Sequence, residues 1–134
     1  MFNRLFKNSS PTYAFGMSGE EIATKYLKQK GYKIIDRNYK NKSGRQLGEI
    51  DIITKKDNEI FFVEVKTRIV ESDEGVLPEQ NINPQKLRKL SKIAQYYIRE
   101  RKLWDSVYHF DAVSVLVDYN SKNAKVRHIQ DIFF

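Results

Sequence analysis

The chain has 134 residues, 40% hydrophobic and 31% charged, a size and balance that fit one ordered domain and exclude wholesale disorder. No stretch approaches the roughly 20 apolar residues that a membrane span needs. Residues 1–7 lack the apolar run of a secretory signal, and the absence of cysteine rules out disulfides and thiolate metal sites, so a cytoplasmic protein is expected. With 24 Lys plus Arg against 17 Asp plus Glu, the net charge of +7 points to an anionic partner, nucleic acid foremost.

Residues 1–17, containing Ser9-Ser10-Pro11, read as an N-terminal arm, and residues 18–134 as a single domain. Ser18-Gly19-Glu20-Glu21 is a capping box that opens a helix. Ile22, Ala23, Tyr26 and Leu27 form the apolar stripe of that helix, and Gly31 ends it. Residues 32–39 suit a strand and residues 41–46 a polar, lysine-bearing loop. Residues 48–56 and 59–68 suit two strands joined by a tight Asp57-Asn58 turn. An acidic loop over residues 69–82 leads to Asn83-Pro84, a cap followed by a first-turn proline. The second helix buries Leu87, Leu90, Ile93, Ala94, Tyr97 and Ile98, and Trp104 is expected to close the core behind it. Residues 108–117 read as a buried strand, 118–124 as a turn and 125–130 as an edge strand. The order helix, three strands, helix, strand, strand predicts an α/β fold on a mixed sheet.

A two-residue turn fixes the hairpin register: Lys56 pairs with Glu59, Ile53 with Phe62, Ile52 with Val63, Asp51 with Glu64 and Glu49 with Lys66. Opposed residues share a face and side chains alternate along each strand. Glu49, Asp51, Glu64 and Lys66 are therefore expected at one corner, with Ile50, Ile52, Phe61, Val63 and Val65 on the opposite face. One lysine cannot neutralise three carboxylates, and an all-oxygen set favours Mg²⁺ or Mn²⁺ over zinc. His109 and His128 stand too far apart in sequence for a zinc motif. The competing reading is a Glu49–Lys66 cross-strand ion pair beside solvated acids.

Such a corner suits phosphodiester hydrolysis. A carboxylate-held divalent ion polarises the phosphate and acidifies water, and a lysine orients or deprotonates the attacking water and offsets developing charge. In Glu64-Val65-Lys66 both functional side chains fall on one face while Val65 anchors the core.

Asp51, twelve residues, then Glu64-Val65-Lys66 resembles the PD-(D/E)xK nuclease signature. A longer series resembles the YraN-like family over most of residues 16–130. It comprises Gly19-Glu20, Ala23, Leu27, Gly31-Tyr32, Asn38, Gly48-Glu49-Ile50-Asp51, the run from Phe62 to Arg68, Lys86 and Phe110-Asp111. The resemblance implies a restriction-endonuclease-like core, similar to archaeal Holliday junction resolvases. By analogy with those resolvases it also implies branched DNA as substrate and a symmetric homodimer. Ile50 stands where the nuclease signature has proline, and His109 where the family has arginine.

Further candidates surround the hairpin. Glu20 flanks the stripe of the first helix and is either another catalytic carboxylate or a favourable acid at a helix N-terminus. Lys86 falls within the buried stripe of the second helix, where it either reaches a phosphate or the acidic corner, or packs its stem and snorkels. With Lys86, the residues Arg37, Lys42, Arg45 and Arg68 are candidates for binding nucleic acid through its phosphates. Tyr39 is a base-stacking candidate or a partly buried strand residue, and His109 and Asp111 are expected as a buried hydrogen-bonded pair. The expected activity is a Mg²⁺- or Mn²⁺-dependent DNA endonuclease in which Asp51, Glu64 and Glu49 hold metal, Lys66 serves water and Glu20 completes the acidic site. The alternatives are a catalytically idle nucleic-acid-binding or scaffold protein that retains the fold, and a basic structural protein with an ion-pair network.

Overall fold

The computed structural model describes residues 2–5, 17–70, 83–118 and 123–132. Residues 6–16 of the arm, 71–82 of the acidic loop and 119–122 of the turn lie outside the described residues. The first helix, α1 (Gly19–Gln29), starts on the expected capping box: Ser18 Oγ accepts from the Glu21 N–H at 3.2 Å, and Glu21 Oε1 accepts from the Ser18 N–H at 3.1 Å. The helix ends where Gly31 turns to φ 91°. The Tyr32 N–H then reaches Leu27 O and the Gly31 N–H reaches Lys28 O, both at 3.0 Å, which brings the Tyr32 ring into the core beside Leu27.

The strands are β1 (Phe2–Leu5), β2 (Lys33–Lys40), β3 (Glu49–Lys56), β4 (Glu59–Val70), β5 (Tyr108–Asp118) and β6 (Asn123–Ile129). They form one mixed sheet in the order β1-β6-β5-β4-β3-β2, in which only β4 and β5 run parallel. That pair needs a long connection, and it contains the second helix, α2 (Pro84–Glu100). The arm thus contributes a strand, and β6, expected at an edge, is covered by β1. At the hairpin, Asp57 and Asn58 take φ 53° and 65°, the left-handed pair that a two-residue turn requires.

Among the described residues, each face of the sheet carries one helix. Ile22, Ala23, Tyr26 and Leu27 of α1 pack on Ile52, Val63, Val113, Val115 and Val126. Leu90, Ile93, Ala94, Tyr97 and Ile98 of α2 pack on Tyr39, Ile50, Ile53, Ile60, Phe62 and Phe110. Trp104 does not close the second core, for it is 65% exposed. Helix α2 reverses at Lys102 (φ 56°), and the Leu103 N–H bonds Ile98 O at 2.9 Å. Leu103 therefore fills the space expected for Trp104, and the next residue points outward.

The N-terminus of α1 lies directly against β4. A Cβ built on Gly19 would come 1.6 Å from Thr67 Oγ1 and 2.7 Å from Thr67 Cβ, so rotating the hydroxyl cannot relieve the clash. Gly19→Ala should destabilise the protein by about 2 kcal/mol despite alanine's better helix propensity. A urea midpoint unchanged from wild type would contradict this close approach.

Candidate active site

The pairing of β3 with β4 follows the expected register from Lys56↔Glu59 as far as Ile52↔Val63 and then stops. There the carboxylate of Asp51 takes over, and its Oδ2 accepts from the Val65 N–H at 2.8 Å. The strand also changes sides at this point: Ile50 belongs to the α2 core and Ile52 to the α1 core, so the expected common face of Ile50 and Ile52 does not form. The neighbouring strand β2 is irregular at the same level, with Asn38 at φ 54°.

The result is a cluster of two acids and two lysines. Asp51 lies near enough to Glu64 for the Glu64 charge to raise its carboxyl. Glu64, only 5% exposed, receives the Lys86 ammonium directly, and Lys66 Nζ lies 3.9 Å from the same Oε2. Lys86 arrives from α2, where Asn83 caps the helix by accepting from the Lys86 N–H at 2.8 Å. Of the two expectations for Lys86, the structure realises the reach into the acidic corner. Burial, then the Glu64 charge, pushes the Asp51 carboxyl up to about 7, against the Val65 N–H, which favours the anion. The hydrogen bond and charge of Lys86, with burial between them in weight, hold Lys66 below the usual lysine range against the pull of Glu64 and Asp51. Burial works against the charge of Lys86, but its bonds to Glu64 and Lys66 and the acids' charge outweigh it and raise this lysine.

Glu49 does not join this cluster. It is opposite Lys40 on β2, with their charges 3.9 Å apart, and not opposite Lys66. Glu20 lies near enough for its charge to help raise the Asp51 carboxyl, but its own partner is Arg37 at 3.7 Å. Among the described residues no three Asp, Glu or His side chains gather as a ligand set, so the expected trio of Asp51, Glu64 and Glu49 is reduced to a pair.

The pair still fits a hard divalent cation. The half-buried Asp51 carboxyl, raised by burial and by the Glu64 charge, resists ionisation, the condition that an Mg²⁺ or Mn²⁺ ion relieves. The donors are all oxygen, and such ions retain several waters instead of demanding a full protein cage.

The other candidates fall outside the cluster. Lys42 pairs with Glu100 at 3.4 Å, and Arg45 is exposed in the segment between β2 and β3. Arg68 follows Lys66 two residues along β4 and is half-buried. Tyr39 is buried and donates to Glu100 at 2.9 Å, so it is a core residue and not a base-stacking one. His109 and Asp111 are not paired with each other. His109 lies between Glu59 (2.5 Å) and Asp131 (2.9 Å), and Asp111 bonds His128 at 2.8 Å and the Asp131 N–H at 3.0 Å. The segment after β6 folds back and supplies Asp131 to both, a contact that strand alternation alone could not reveal.

Comparison with known proteins agrees on one family. A profile described as "Uncharacterised protein family UPF0102" matches residues 19–115. A UPF0102 protein of Chloroherpeton thalassium is 41% identical over 121 residues, which is 90% of this chain and 89% of its own. Those of Syntrophomonas wolfei and Clostridium beijerinckii are each 39% identical over 118 residues, 88% of this chain and 96% and 91% of theirs. No helix among the described residues is long and apolar enough to cross a membrane.

Proposed function

The chain belongs to the uncharacterised protein family UPF0102, and from its acid–lysine cluster we propose that it is a divalent-cation-dependent endonuclease of the PD-(D/E)xK superfamily acting on DNA, branched DNA included. One observation carries the reading: half-buried Asp51 and buried Glu64, from adjacent strands, stand near enough for the Glu64 charge to raise Asp51, with Lys66 beside Glu64. The helix, three-strand, helix, strand order is that of such nucleases.

Asp51 and Glu64 would hold the ion, which when bound neutralises charge at the scissile phosphate and acidifies water. Asp51 is held in place by the Val65 N–H. Lys66, lowered by its neighbour Lys86, gives up its proton more readily than a free lysine, and its Nζ can then accept one from the attacking water. Water adds to phosphorus, the bond to the leaving sugar oxygen breaks, and that oxygen takes a proton from solvent. Lys86, held charged, offsets negative charge on the phosphate once it leaves Glu64. A symmetric pair of chains would suit a branched substrate with two scissile strands.

The test is cleavage of linear, nicked and four-way DNA with Mg²⁺ or Mn²⁺, with Lys66→Met in parallel. Wild type should cut at least one substrate, and the variant should be slower by about 10² to 10³-fold. The alternative is a nucleic-acid-binding protein that retains the fold without catalysis. It is favoured by the fact that Glu64 is already taken by this chain's own ammonium groups. Binding to DNA without cleavage under either ion would establish that alternative, and binding to none of the three substrates would remove both readings.

A further inference from the structure

The sequence places nucleic-acid contacts at Arg37, Lys42 and Arg45 on β2 and the segment that follows it, at Arg68 on β4 and at Lys86 on α2. On β2 and just after it several cations already have acids beside them: Arg37 has Glu20, Lys40 has Glu49 and Lys42 has Glu100. Helix α2 has the opposite character, with five Lys and Arg against a single acid, Glu100. Arg88, Lys89, Lys92 and Arg99 are exposed, and no salt bridge joins any of them to an acid among the described residues. Lys86, Lys89 and Lys92 step round the helix by about 60° each, leading from the buried acid corner to the outer face. Lys86 and Lys89 also line, with Asn83 and Gln85, a cavity of about 300 Å³ at the start of α2.

This placement is costly for the helix itself. The macrodipole favours acids in the first turn and cations in the last, yet the first turn of α2 has no acid, and Lys86, Arg88 and Lys89 crowd its N-terminal half. Helix stability therefore does not account for the arrangement, whereas a polyanion running along the helix does. From Lys86 to Arg99 the row covers about 20 Å, the rise of roughly six base-pair steps.

We propose that the outer stripe of α2, Arg88, Lys89, Lys92 and Arg99, is the phosphate-binding track along which a DNA duplex lies, with Lys86 marking where the backbone enters the acid corner. This inference rests on the nuclease reading and adds the surface that holds the substrate. Phosphate contacts of this kind give affinity and orientation without sequence preference.

The test measures binding of a fluorescent DNA duplex of about 20 base pairs in EDTA over a salt series. Wild type is compared with Lys89→Glu/Lys92→Glu and with a control of equal charge change, Lys33→Glu/Lys55→Glu. Those two control lysines are exposed cross-strand neighbours on β2 and β3, outside the α2 row. The α2 variant should lose at least about 10-fold in affinity, and its slope of log affinity against log salt should shrink by about two. The control should change less than about threefold, and melting curves should show both variants folded. If both variants weaken alike, only net charge matters and the track is refuted. Unchanged binding by the α2 variant also refutes the track while leaving the nuclease reading intact. If wild type fails to bind duplex, junction or single-stranded DNA, the nuclease reading falls, and the track with it.

Discussion

Asp51→Asn should make the metal-free protein more stable at alkaline pH while abolishing cleavage, two effects of opposite sign from one atom. The folded chain holds the proton of Asp51 up to about 7, whereas in the unfolded chain the same carboxyl ionises near 3.8. Folding therefore takes up a proton between these values, and the wild type loses stability as pH rises through that window, with the whole penalty present above it. An amide cannot ionise, yet its oxygen can still accept from the Val65 N–H, so the variant keeps the contact and sheds the repulsion from Glu64. The expected gain at about pH 8 is on the order of 2 kcal/mol, or about 6 °C in melting temperature, and smaller at about pH 5. Cleavage should fall by roughly 10³-fold or more, and calorimetric binding of Mg²⁺ or Mn²⁺ should disappear. Urea melts in EDTA at the two pH values measure the first effect. A variant less stable than wild type at high pH, or one whose advantage does not grow with pH, would show that the two carboxyls do not share the corner.

The sequence carried most of this geometry, and the failures share a cause. Both caps, the Asp57-Asn58 turn and the register to Ile52↔Val63 are local matters, set by residues that can reach one another along the chain. Beyond Ile52 the rule of alternation gave out, because it assumes an unbroken pleat. The strand changes sides between Ile50 and Ile52, opposite the left-handed Asn38, and Glu49 is carried towards Lys40 instead of Lys66. No residue type announces such a break, although an asparagine in a strand beside an aspartate is the one available sign. Trp104 illustrates the same limit: the turn at Lys102 decides whether residue 103 or 104 enters the core, and hydrophobicity favoured the wrong one. Charge was harder still. The sequence shows a surplus of cations but not which of them acids silence, and that depends on contacts between distant elements such as Lys42 with Glu100.

Removing Glu64 should act in the opposite direction to Asp51→Asn, and the contrast separates a poised acid pair from a simple ion-pair network. Glu64 is almost fully buried and is the partner of both Lys66 and Lys86. In Glu64→Ala the two ammonium groups face each other without their anion, and a void replaces a carboxylate stem. Lys86, with 37% of its side chain exposed, can swing partly into water, which limits the cost. A loss of about 2–3 kcal/mol is expected, less than for a pair buried on both sides. Adding Lys86→Met should then return part of that stability, by more than about 1 kcal/mol beyond additivity, because the second substitution removes the charge that the first left unpaired. Cleavage should not return, since the carboxylate that would hold the ion is still missing. The double-mutant cycle thus isolates the Glu64–Lys86 contact from the chemistry. If the two substitutions simply add, Lys86 is a surface lysine that happens to lie near Glu64, and the acid corner would have to be held together by Lys66 alone.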